Sequence, residues 1–119
     1  MGDPIAGAAA RKGSAELLIL ASLEDGQLHG YDIAREISRK SGGLLTFHVA
    51  SLYPLLYKLE DRNWISGRWV EKAGQRRRRY YRITESGRAM LAAQREDWAR
   101  FIAALTLIAG VPPIGQATD

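Results

Sequence analysis

The sequence predicts a mainly α-helical protein with one small β-hairpin, closed by a long C-terminal helix. Three observations predict it. Apolar residues recur at three-and-four spacing in four segments. The period changes to two over residues 65–84. Breaks rich in glycine, or carrying proline, separate the segments. At 119 residues the chain suits one small domain with an added element.

The first helix is expected over residues 14–25, where Leu17, Leu18, Leu20, Ala21 and Leu23 form a broad apolar stripe before Gly26. A second is expected over residues 31–41, with Ile33, Ala34 and Ile37 on the core side and Arg35, Glu36, Arg39 and Lys40 facing away. The third spans residues 49–63. Its Leu52, Leu55, Leu56 and Leu59 repeat at i, i+3, i+4, i+7, one core-facing stripe. Pro54 is tolerable there if the helix begins near Ala50 or Ser51, because the missing N–H then falls in or beside the first turn.

Residues 65–71 and 79–84 read as strands joined by Lys72-Ala73-Gly74-Gln75. Alternation puts Tyr81 and Ile83 on one face and Tyr80, Arg82 and Thr84 on the other. Thr84 suits the N-cap of a last helix reaching about residue 109. Its stripe is Met90, Leu91, Gln94, Trp98, Phe101, Ile102, Leu105 and Ile108, stopped by Gly110 and Pro112-Pro113. The organisation expected is a flexible tail at 1–13, a folded domain at 14–84, a C-terminal helix at 85–110 and a flexible tail at 111–119.

Composition excludes several classes. The 46% hydrophobic and 25% charged content is that of a soluble globular protein. With no cysteine, disulfides, thiolate ligands and a cysteine nucleophile are excluded. No apolar run reaches the ~20 residues of a membrane span, and the start lacks the pattern of a secretion signal, so a cytoplasmic protein with no membrane partner is expected. His29 and His48 have no clustered carboxylates near them in sequence, and no metal or other cofactor is expected. His29 reads as completing a turn. No G-x-S-x-G, phosphate-cradling loop or nucleophile–base pair is present, which argues against an enzyme.

Charge is the distinguishing feature. Between Arg62 and Arg88 stand nine Lys/Arg and two acids, Glu71 and Glu85, a local balance of +7; the rest carries eight basic and eleven acidic residues, or −3. Taken alone, such a block is either a solvated surface or a site for a polyanion. Its place in the fold decides. Three helices followed by a hairpin is the order of a winged helix-turn-helix, whose third helix enters a major groove while the wing lies along the backbone. The third helix would present Ala50, Ser51, Tyr53, Pro54, Tyr57 and Lys58, with no carboxylate before Glu60, and His48 just ahead of it within reach of a phosphate. The hairpin would add Lys72, Arg76, Arg77, Arg78 and Arg79, a planar, permanently charged set suited to phosphate. Alternation must send some of these arginines to opposite faces. Double-stranded DNA is the expected partner, and Tyr31, Tyr80 and Tyr81 are read as structural.

These segments also resemble the PadR family of bacterial transcriptional regulators. The resemblance is carried by Leu28-His29-Gly30-Tyr31-Asp32-Ile33, by Ser51-Leu52-Tyr53-Pro54-Leu55-Leu56-Tyr57-Lys58-Leu59-Glu60, and by Arg78-Arg79-Tyr80-Tyr81-Arg82-Ile83-Thr84-Glu85-Ser86-Gly87. It implies a winged-helix reader, usually a repressor, that dimerises through its first and last helices on a two-fold operator. It implies DNA contacts from Tyr53, Lys58 and Arg78 or Arg79. The single short C-terminal helix resembles the family's compact subgroup. Trp64 stands where the family commonly has glycine, and the four-arginine run is denser than usual.

A dimer also follows from physics. A last helix of about 25 residues extends roughly 37 Å, more than a small domain covers, and its apolar stripe needs a cover. Leu17, Leu20, Leu91, Trp98, Phe101, Ile102, Leu105 and Ile108 are the interface residues expected. Trp98 has two readings: packing in that interface, or a stacking plate for a flat aromatic ligand, as in some PadR-like regulators. The rival function is a winged-helix module that docks on protein, which would carry apolar or mixed charge where Lys72 to Arg79 hold five cations in eight residues. RNA binding would call for an aromatic stacking sheet.

Overall fold

The computed structural model describes residues 13–112. The expected tails lie outside it, except for Gly13 and residues 111–112. The order is α1 (Ser14–Ser22), β1 (Leu28–His29), α2 (Gly30–Lys40), α3 (Val49–Asp61), β2 (Ile65–Val70), β3 (Arg78–Ile83) and α4 (Glu85–Ala109). The mainly α fold with a small wing is as the periodicity predicts. The sheet, however, has three strands in the order β1-β3-β2, all antiparallel. Leu28 pairs with Tyr81 and His29 with Tyr80, a strand of two residues that is too short for any alternation to reveal.

α1 is shorter than expected; its C-cap is Leu23, and residues 23–25 form a turn. It is apolar around much of its circumference because three helices pack on it. Ile19, Leu20 and Leu23 meet Ile33 and Ile37 of α2, the α3 leucines, the sheet residues Ile65, Tyr81 and Ile83, and Leu91 of α4. Leu52, Leu56 and Leu59 are fully buried while Leu55 is half-buried, so three of four stripe positions face the core squarely. Each fully buried leucine contributes about 2 kcal/mol through the area it removes from water.

Leu20 and Leu91, expected at a dimer interface, are corrected by this packing. They are 0% and 2% exposed within a single chain and have no surface left to offer a partner. Pro54 is corrected too. With α3 starting at Val49, it stands in the second turn, and Ala50 loses the N–H that would ordinarily reach its carbonyl. Ala50 is exposed, so water can serve that carbonyl.

The base of the hairpin is tied to α4. Asn63 takes the left-handed conformation (φ 62°) that follows α3, rather than Trp64. The Thr84 N–H donates to the Trp64 carbonyl at 3.0 Å, and the Thr84 and Ser86 hydroxyls donate to the Asn63 carbonyl at 2.6 and 2.7 Å. Thr84 also caps α4 by accepting from the Gly87 N–H at 3.0 Å, the N-cap role expected of it. A Cβ on Gly87 would lie 2.0 Å from the Trp64 carbonyl oxygen, so only glycine fits there.

α4 runs back along α1. Glu24 holds Arg95 with both carboxylate oxygens, at 2.7 and 2.9 Å, and Glu16 joins Arg62 (3.0 Å) to Gln94 (3.3 Å). The hydrogen bond from Arg95 holds the Glu24 carboxyl below its ordinary pKa. Past these contacts the helix leaves the domain, and Phe101, Ile102, Leu107 and Ile108 are exposed.

Candidate nucleic-acid interface

α3 presents its outer face as the leucine stripe requires. His48, Ala50, Ser51, Pro54, Tyr57 and Lys58 are all exposed. The first turn carries no acid, and the backbone N–H groups there give that end a partial positive charge. Tyr53 differs from its neighbours. It is half-buried, with its ring against Gly30, where a Cβ would come within 2.9 Å of the ring. Gly30 is thus the residue that lets α2 and α3 approach at this point.

The wing rises beside α3. Its turn closes with the Gln75 N–H donating to the Lys72 carbonyl at 2.9 Å, and Gly74 takes φ 73°. Lys72 and Arg76 to Arg78 are exposed. The four arginines do not form one uniform patch, as alternation anticipated.

Arg79 is the clearest departure from expectation. It points along the same face as Tyr81 and forms an ion pair with Glu60 at the end of α3. Its side chain is only 22% exposed. Glu60 also accepts the Gly67 N–H at 3.2 Å, and a Cβ on Gly67 would strike the Arg79 guanidinium. Arg79 is therefore a latch between the wing and α3, with its guanidinium already paired. Glu60, the first carboxylate along α3, is the other half of that latch.

Arg78 is exposed, but its Nη1 lies 3.0 Å from His29 Nε2. His29 caps α2: its Nδ1 accepts the Asp32 N–H at 3.4 Å, and its Nε2 lies 3.0 Å from the Asp32 carboxylate. Nε2 thus lies 3.0 Å from both the Asp32 carboxylate and the Arg78 guanidinium. His29 is 8% exposed and meets Tyr80 edge-on at 5.4 Å; expected to complete a turn, it instead ends β1 and caps α2. Arg77 lies over the Trp69 ring, 4.6 Å from its centre. Arg76 makes no ion pair or ring contact among the described residues.

Between α2, α3 and the wing these residues line a cleft of about 630 Å³. His29, Tyr31, Asp32, Arg35, Tyr53, Tyr57, Trp69 and Arg76 to Arg79 form its walls. Among the described residues Asp32 is its only carboxylate wall residue, and His29 and Arg35 flank it. Sequence reading missed Tyr31, Arg35 and Trp69. Tyr31 is 54% exposed, with Arg35 5.9 Å over its ring, rather than structural as expected. No face was assigned to Trp69 from sequence; it lies two pleats along from the buried Ile65, where the strand has outrun the core and the position is exposed to the cleft.

Tyr81, by contrast, is fully buried, and its hydroxyl has no hydrogen-bond partner among the described residues. Burial pushes its pKa up to about 12. In the free half of α4, Trp98 is half-buried and packs edge-on against Phe101 at 5.7 Å.

A helix-turn-helix whose third helix shows a polar outer face, flanked by a cationic β-wing, defines a winged helix-turn-helix protein. The model of the transcriptional regulator PadR-like family matches residues 19–93, and the chain belongs to that family. It is 31% identical over 80 residues to the negative transcriptional regulator PadR of Bacillus subtilis, covering 67% of this chain and 42% of that protein. A transcriptional regulator from Clostridium thermocellum superposes with a TM-score of 0.78 at 26% identity, covering 87% of this chain and 98% of that one. Bacillus subtilis PadR in complex with operator DNA superposes with a TM-score of 0.62 at 27% identity, covering 90% of this chain and 54% of that one. The chain thus spans about half the length of the Bacillus subtilis protein and nearly all of the Clostridium one. Among the described residues no helix is long and apolar enough to cross a membrane.

Proposed function

We propose that this regulator binds double-stranded DNA in a sequence-specific manner and represses transcription as a homodimer on an inverted-repeat operator. The observation that carries the reading is the cleft: five arginines converge beside Tyr53 and Tyr57 of α3, a helix whose first turn carries no acid. Ser51, Tyr57 and Lys58 would face base edges and phosphates from the major groove, with Ala50 and Pro54 making close apolar contacts and His48 a phosphate contact. Tyr53 would reach the DNA only with its exposed edge. Lys72, Arg76, Arg77 and Arg78 would bind the backbone beside it.

The apolar outer half of α4 supports the dimer. Phe101, Ile102, Leu105 and Ile108 would pack against a second copy, with Trp98 and Leu17 at the margin. Repression is supported by likeness to a negative regulator and to a structure holding operator DNA. A flat aromatic molecule stacked on Trp98 would act at the dimer seam and release the operator.

The test is duplex binding across a salt series, with and without α3 substitutions. Affinity should fall steeply with salt, as counterion release requires. Tyr57→Ala and Ser51→Ala should reorder preference among duplexes; equal loss on every duplex would remove them as readers. Salt-independent or absent binding would remove DNA as the partner.

A further inference from the structure

Trp69 is a large aromatic that the hydrophobic core does not use. It is 54% exposed near the end of β2, where its register partner is Arg79. Two guanidinium groups lie on it: Arg77 at 4.6 Å and Arg79 at 5.5 Å from the ring centre. Arg79 is already committed to Glu60, so one wall of the ring's surroundings is fixed. Arg77 sits in the exposed stretch 71–78, has no carboxylate partner among the described residues, and has only the indole to rest on. Tyr57 of α3 lines the same cleft from the opposite side.

We propose that Trp69 is a DNA-binding residue of the wing, acting as a shelf that holds Arg77 toward the phosphate strand entering the cleft. The inference rests on the DNA reading above and adds a division of labour within the arginine run. A guanidinium stacked on an indole keeps its in-plane N–H donors free, because stacking uses the faces and phosphate uses the edge. It also loses less side-chain freedom on binding than an arginine that samples water. Arg77 is then preset for phosphate, Arg79 holds the wing in place, and Arg76 and Lys72 add unpositioned charge. The exposed part of the indole is left to meet a sugar face.

A double-mutant cycle on a fluorescein-labelled mixed-sequence duplex, long enough for two half-sites, tests this in low salt. Trp69→Ala and Arg77→Ala should each weaken binding about three- to tenfold, and the double variant should be little worse than either. Each should also lower the salt slope by about one phosphate. Trp69→Phe should keep most of the affinity, because a benzene ring still offers a shelf. Thermal midpoints of all variants should match the parent, since neither side chain is buried. Losses that multiply, or a Trp69→Ala variant that binds like the parent, would overturn the shelf while leaving DNA binding intact. A parent that binds no duplex at all would instead overturn the DNA reading itself.

Discussion

The cleft beside α3 and the outer half of α4 are both open to solvent, yet they expose opposite chemistries. The cleft shows arginines and half-exposed aromatic rings, and its charged groups are partly tethered: Arg79 by Glu60, Arg78 beside His29, Arg77 on Trp69. The outer half of α4 shows Phe101, Ile102, Leu107 and Ile108 with little around them. An exposed tethered cation suits a polyanion, because a preset planar fork loses less freedom when it binds phosphate. An exposed aliphatic row suits another apolar surface, because water is what it avoids. One molecule thus carries two exposed faces of opposite chemistry, joined through the first half of α4.

The joint can be broken first. Gly87→Ala would press a methyl group into the Trp64 carbonyl and should separate wing base from helix start. A loss above about 3 kcal/mol in urea unfolding is expected; a loss under about 1 kcal/mol would mean that the joint yields easily. Next comes the apolar face. The double change Ile102→Asp and Ile108→Asp should convert the species seen in light scattering to monomer. It should weaken binding to a two-half-site duplex about a hundredfold by removing avidity, with the monomer fold intact by circular dichroism.

The cleft divides more finely. Arg79→Ala should lower stability by about 1–2 kcal/mol, between the exposed and buried limits for ion pairs. Arg76→Ala should leave the melting temperature unchanged and reduce only duplex affinity and its salt slope. Equal effects of the two on stability would erase the distinction between latch and ligand.

The smallest effect belongs to Tyr81→Phe. Its hydroxyl is buried without a partner among the described residues, so the change should be neutral or stabilising near neutral pH. Its phenol stays protonated in the fold up to about 12, whereas an unfolded tyrosine titrates near 10. The parent therefore keeps this contribution below about pH 10 and loses it as pH rises toward 12. The phenylalanine variant should lose less stability over that window, which alkaline denaturation curves would show.

Much of this was legible in the residues. Period and capping placed α2, α3, the hairpin and α4 within a few positions, because the α3 leucines and the Thr84 cap act locally. β1 was not legible: two residues carry no period, and pairing with β3 decides them. Nor was the fate of the arginines. Charge is visible in a sequence, but the Glu60 that immobilises Arg79 lies nineteen positions away, and only the approach of wing to helix brings them together. Leu20 and Leu91 were misplaced for a related reason. Their stripes include positions inside the core and positions outside it, and periodicity does not say where the core ends.

The central claim is that α3 and the wing read duplex DNA in a two-fold assembly. Selection of bound duplexes from a random pool tests it most directly. An inverted repeat whose half-sites lie about one helical turn apart should be enriched, and that enrichment should be lost when α3 is altered at Ser51 and Tyr57. An unenriched pool, or enrichment of a motif with no two-fold symmetry that survives those changes, would contradict it.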